Sequence, residues 1–243
     1  MKRLIKLSAV AAGWLLGSMA AQAVTVTSAD LQSFADGSTS NVTVNGVHFN
    51  AVGGKLDAKS VAGYLGIGVT GKAADKTAGE INIGESIRAS WGAPETLSSF
   101  SVAFLYNGPE FGDVNEVAKV ALTGANGIYG KLTAVSDTQA KWQLFSASNV
   151  ALGAASFVNA VSPADASGAG VWTVVNPFAN YVGTGVKFSA LKGACGVGDC
   201  TDQSDYAFFS LTTAAVPEPG SFSMLVVGLL AVSGLVLYRR PRD

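Results

Sequence analysis

Three aspartates, Asp199, Asp202 and Asp205, stand close together in the stretch GDCTDQSDYAFF. Carboxylate oxygens are the ligands that hard cations prefer, and three in so short a run could hold calcium. The spacing is not that of a helix–loop–helix calcium loop, which wants ligands at alternate positions, a central glycine and a distal glutamate. The competing reading is a polar turn before a last strand, with the Asp side chains capping backbone amides. Cys195 and Cys200 lie beside it in ACGVGDC. A disulfide between them would close a tight loop in which Gly196 and Gly198 let the backbone turn, at a gain of roughly 2 kcal/mol for so small a ring. A thiolate metal site would need further soft ligands, and His48 is the sole histidine.

Catalytic vocabulary is thin elsewhere. His48 sits in NGVHF on an expected strand, where alternation turns it away from Val47 and Phe49 toward solvent. No GxSxG elbow accompanies it for nucleophilic hydrolysis. Paired carboxylates could hydrolyse glycosidic bonds. Glu80, Glu85, Glu95, Glu110, Asp113 and Glu116 are the candidates, and nothing in their spacing singles out two. Catalytic residues are therefore assigned to none. Trp91, Trp142, Trp172 and Tyr181 could stack on sugar rings, but core packing is the default for a large indole. The loop NPFANYVG, with Phe178 and Tyr181, is the best candidate for an exposed aromatic surface.

The elements that must position these residues are strands. NVTVNGVHF carries an Asn45-Gly46 hairpin signal between alternating runs. INIGESIRASW and SSFSVAFLY alternate, and NEVAKVAL, GIYGKLTAV, AKWQLFSA, GVWTVV, GTGVKFSAL and SDYAFFSLTT continue the pattern between turn-rich stretches. About ten short strands at this spacing predict an all-β fold, an antiparallel β-sandwich or jelly roll. Residues 51–63 read as irregular or as a short helix, and 149–161 as ambiguous between strand and helix.

Both ends differ from this body. MKRLIKLSAVAAGWLLGSMAAQA has Lys2, Arg3 and Lys6 ahead of an apolar run and Ala21-Gln22-Ala23 as a small-x-small site. That is the pattern of a secretory signal helix over 1–23, cut after Ala23. At the other end, Pro217-Glu218-Pro219 precedes an apolar segment, 222–238, which reads as a single transmembrane helix, and then Arg239, Arg240 and Arg242 in a basic tail, 239–243. The arginines hold that end in the cytoplasm, which places 24–215 as an ectodomain and 216–243 as an appended signal. Six of the 16 basic residues and two of the 17 acidic ones lie in these two ends. The body keeps ten basic and 15 acidic side chains, a net of −5, which is no overall footprint for nucleic acid.

The C-terminal arrangement resembles the PEP-CTERM sorting signal, three parts in fixed order paired with an N-terminal signal peptide. The resemblance covers about a tenth of the chain and implies a pathway rather than an activity. It implies a transient inner-membrane anchor, processing by an exosortase-type membrane protease or transpeptidase of Gram-negative bacteria, and release to the cell surface. It also implies an association with exopolysaccharide and biofilm. The expected role is a non-enzymatic structural or adhesive matrix component. The alternatives are a carbohydrate-binding module, with or without calcium, and more weakly a secreted glycoside hydrolase.

Overall fold

The computed structural model describes residues 23–71, 77–108, 114–195 and 204–216, apart from the side chains of Cys195 and Ala215. Gln22–Val216 forms one compact unit. Among the described residues the chain is all-β, with one helical turn, α1 (Ser28–Leu31), running into a 3-10 turn at Gln32–Phe34. The strands are β1 (Val24–Thr27), β2 (Asn41–Val44), β3 (Val47–Val52), β4 (Lys55–Val61), β5 (Tyr64–Thr70), β6 (Ser86–Ala103), β7 (Val114–Thr123), β8 (Tyr129–Ser136), β9 (Gln139–Phe145), β10 (Ala151–Ser162), β11 (Val171–Val175), β12 (Gly183–Cys195) and β13 (Ala207–Ala215). Every pairing between them is antiparallel.

The 18-residue strand β6 organises this sheet. One of its edges binds β3 (Phe49 opposite Ala89) and then β13 (Leu211 opposite Phe100). The other binds β12 (Phe188 opposite Ile87) and then β11 (Val174 opposite Phe100). The path β12–β7–β8–β9–β10–β11 therefore leaves β6 and returns to the same edge, closing a ring of strands. Closure leaves the ring without a bare strand edge.

Alternation sorts the side chains of this ring. Val186, Phe188, Val120, Leu132, Trp142 and Phe100 point in and are buried. Their rings touch in series at edge-to-face geometry. Phe49 meets Phe208 at 5.4 Å between centroids, Phe208 meets Phe188 at 5.4 Å, Phe188 meets Phe100 at 5.9 Å and Phe100 meets Trp142 at 5.2 Å. Such contacts add about 0.5–1.5 kcal/mol each beyond the burial of area.

Two sequence readings change. Residues 51–63 are neither irregular nor helical: they end β3 and form β4, which pairs along its length with β5 from Lys55–Thr70 to Val61–Tyr64. The turn between is Ala62-Gly63, both at positive φ, and an alanine in the left-handed region hides a two-residue hairpin that Asn45-Gly46 announces openly. Residues 149–161 supply β10, whose small side chains have no strong local preference; pairing with β9 and β11 decides the outcome. The strands are also not uniformly short, since β6, β10 and β12 run to 18, 12 and 13 residues. The signal helix, the 222–238 segment and the basic tail lie outside the described residues, and no helix among those described is long and apolar enough to cross a membrane.

Gly130 on β8 lies under the Trp142 ring: a Cβ there would come within 2.0 Å of the indole. Gly130→Ala should lower stability by about 1–3 kcal/mol, the usual range for overpacking, read as the midpoint of urea unfolding. Combined with Trp142→Leu it should cost less than the sum of the two single changes, because they share one contact. Additive losses would show that the ring can move aside.

Candidate functional site

Two backbone contacts place Asp205. The Val117 N–H donates to the buried Ser204 hydroxyl at 2.9 Å, and the Ile81 N–H donates to the Tyr206 carbonyl at 2.6 Å. Residue 205 is thereby held between Glu116 on β7 and Glu80, which continues the β5 ladder through the Val69 N–H to Glu80 carbonyl bond of 3.0 Å. The Asp205 carboxyl hydrogen-bonds to both glutamates. Glu80 is 2% exposed and Glu116 8% exposed.

Two groups rim the cluster. Lys59 on β4 donates to Glu80 Oε1 at 2.8 Å, and its ammonium lies 5.6 Å from the centre of the Phe104 ring. The Tyr106 N–H donates to Glu116 Oε2, while its hydroxyl donates to the Gly168 carbonyl at 3.4 Å. Phe104, fully buried, has φ of +64° and turns the chain out of β6 toward that contact. A bulky residue in this region costs of the order of 1–3 kcal/mol and persists only where its surroundings enforce it.

A carboxyl-to-carboxyl hydrogen bond needs a proton. Burial, and then the neighbouring Asp205, push Glu80 up to about 8 against the pull of Lys59. The same two causes hold Glu116 well above the ordinary carboxyl range, against the Tyr106 N–H. Burial and the carboxyls around it push the Tyr106 phenol up to about 12. Near neutral pH Glu80 therefore keeps most of its proton, and burial favours the same neutral form at Glu116. Lys59 then holds a largely neutral carboxyl, and the contact gains full ion-pair character only above about pH 8.

The other expected site residues are dispersed. Asp199, Asp202 and Cys200 lie outside the described residues, as do Glu110 and Asp113; Cys195 ends β12, and its side chain is not described. Asp205 is thus the one described member of the expected calcium set. Among the described residues no group of three or more His, Cys, Asp or Glu has the geometry to hold a metal ion. Ala23 is described and exposed, whereas Ala21 and the Pro217, Glu218, Pro219 and Arg239, Arg240, Arg242 motifs are outside. His48 is exposed on β3, its Nδ1 3.2 Å from the Thr43 hydroxyl. Glu85 is buried and accepts the Asn82 N–H at 3.1 Å within a turn.

The indoles are core staples rather than sugar platforms. Trp91, Trp142 and Trp172 are buried and donate to the Gly183, Pro177 and Leu105 carbonyls at 2.8, 2.9 and 2.8 Å. In the loop expected to be an aromatic surface, Phe178 is 1% exposed and packs on Trp142, leaving Tyr181 alone at 42%. The sequence holds one signal for the acid cluster that spacing along the chain did not reveal. In NEVAKVAL, Glu116 shares its register with Ala118 and Val120, so alternation puts this carboxyl on the buried face.

Glutamates whose folded pKa is raised above the ordinary 4.5 contribute stability fully below that value and lose it as pH rises through the folded one. The melting temperature should therefore be highest near pH 5 and drop by at least about 5 °C by pH 9. Glu116→Gln keeps a donor toward Asp205 without a titrating proton, so it should flatten that drop. A melting temperature constant from pH 5 to 9 in the unsubstituted chain would contradict the protonated cluster.

Comparison with protein-family models, with curated proteins and with solved structures gives no match to this chain.

Proposed function

We propose that this chain is an exported, non-enzymatic surface or matrix protein, delivered by a C-terminal PEP-CTERM signal and trimmed by an exosortase-type enzyme. The observation that carries this reading is the order Pro217-Glu218-Pro219, apolar 222–238, then Arg239, Arg240 and Arg242. The prolines keep the flanking backbone extended and without donors, a stiff handle at the membrane surface. The apolar segment parks the chain, and the arginines stop its transfer. The compact unit spans Gln22–Val216, so it ends where this handle begins. Trimming there would release the all-β body as the ectodomain.

The acid cluster fits a structural role in this reading. Glu80 and Glu116 are almost wholly enclosed, and Glu80 is tied to Lys59. A general acid must reach the atom it protonates, and these groups instead bind three chain segments to one another. The hydrolase reading has no second observation in its favour.

Mass spectrometry of the mature protein, from cells with and without the sorting enzyme, tests the proposal. The expected product with the enzyme starts at Val24 and ends close to Pro217-Glu218-Pro219. A chain still ending at Asp243 in cells that have the enzyme would sink the processing step.

A further inference from the structure

The outward face of the ring carries a row of cations that the chain's overall acidity conceals. Five neighbouring strands supply one each: Arg88 on β6, Lys187 on β12, Lys119 on β7, Lys131 on β8 and Lys141 on β9. The pairing register puts them on one face. Arg88 stands directly opposite Lys187, and Lys119 directly opposite Lys131. Lys187 stands opposite Ala121, two residues from Lys119, and Lys131 opposite Gln143, two residues from Lys141. With about 4.8 Å between strands, the row spans roughly 19 Å.

Like charges directly opposite each other on a sheet are destabilising, yet this face holds two such pairs in succession. Ser189, Ala121, Tyr129, Thr133, Gln143 and Phe145 fill the positions between them, and none is acidic. Among the described residues no carboxylate lies within ion-pair reach of any of the five, and the close lysine–carboxyl contact, Lys59–Glu80, lies elsewhere. Aromatic rings hold two of the ammoniums in place instead. Tyr129 and Phe145 stack at 5.4 Å, Lys119 lies 4.1 Å from the Tyr129 ring centre, and Lys131 lies 4.7 Å from that of Phe145. Cation–π contact fixes the position of a charge without neutralising it. Burial and the nearby Lys187 and Lys131 lower the pKa of Lys119, the response of a cation that lacks an anion.

We infer that this face binds an acidic polysaccharide, a polymer bearing carboxylates such as uronate residues, laid across β6, β12, β7, β8 and β9. Each cation would make a charge-assisted hydrogen bond to a carboxylate, and the Ser189 and Thr133 hydroxyls offer neutral partners on the same face. Nucleic acid fits less well. Stacked bases need open aromatic platforms, and here the ammoniums of Lys119 and Lys131 already lie over the rings; the body also carries a net negative charge that repels a denser polyanion. The inference rests on the matrix reading for its setting and names the ligand class that reading leaves open.

Affinity electrophoresis of the full chain in nonionic detergent, through native gels containing polygalacturonate, dextran or double-stranded DNA, tests it. Polygalacturonate should retard the chain and dextran should not, and added salt should weaken the retardation. Lys119→Gln with Lys131→Gln should weaken it at least tenfold without lowering the melting temperature, because both side chains face outward. Arg88→Gln, at the far end of the row, should weaken it about threefold. Equal retardation by dextran, unchanged retardation in both variants, or tighter binding to DNA than to polygalacturonate would each overturn the inference. A chain that is trimmed at Pro217-Glu218-Pro219 but ignores polygalacturonate loses this inference and keeps the sorting proposal; a chain that binds but is never trimmed does the reverse.

Discussion

The structure depends on β6 being paired along both edges in its two halves, at residues 87–90 and again at 99–102. β3 and β13 take one edge, β12 and β11 the other. Because β11 and β12 share an edge, the six strands leading from one to the other must wrap around and close. An open sheet of this length would leave two rows of unpaired amides, and closure pairs them instead. It also fixes which face of every strand in the ring looks inward.

That single choice of face separates the chemistry of the molecule. Inside, edge-to-face rings run from Phe49 through Phe208, Phe188 and Phe100 to Trp142. Outside, Lys187, Lys119 and Lys131 occupy alternate residues of the same strands. Near the start of β7 the rule yields its exception, for Glu116 falls on the inner register. A lone buried carboxylate would cost several kcal/mol. The neutral forms that burial favours at Glu80 and Glu116, the Tyr106 N–H on Glu116 and the Lys59 ammonium on Glu80 offset that cost. The cluster in return joins β7, the segment after β5 and the approach to β13, which are far apart in sequence.

Local patterning made much of the fold legible. Alternation in NEVAKVAL marks β7, and SIRASW and SSFSVA mark the two halves of the single strand β6, whereas the alternating residues 81–85 form a turn; Asn45-Gly46 turns as its residue types demand, both at positive φ. Patterning fell short where residue types are neutral. The Ala- and Gly-rich β10 has no strong preference of its own, and Ala62 sits in a conformation its side chain disfavours. Tryptophans are ambiguous in sequence, because an indole serves a sugar platform and a core equally well. The bonds from Trp91, Trp142 and Trp172 to the Gly183, Pro177 and Leu105 carbonyls decide for the core.

The sequence alone determined the strand-rich body, its tight hairpin, its slightly acidic balance and the two atypical ends, because each is a property of neighbouring residues: periodicity, turn chemistry or a block of like side chains. Only the tertiary structure decided which distant residues meet. Asp205 reaches Glu80 and Glu116 through backbone bonds to Ile81 and Val117, and Lys119 faces Lys131 through a cross-strand register. No spacing along the chain encodes these meetings. They follow from the long-range pairing that the closed sheet imposes, and both the acid cluster and the cationic face exist because of it.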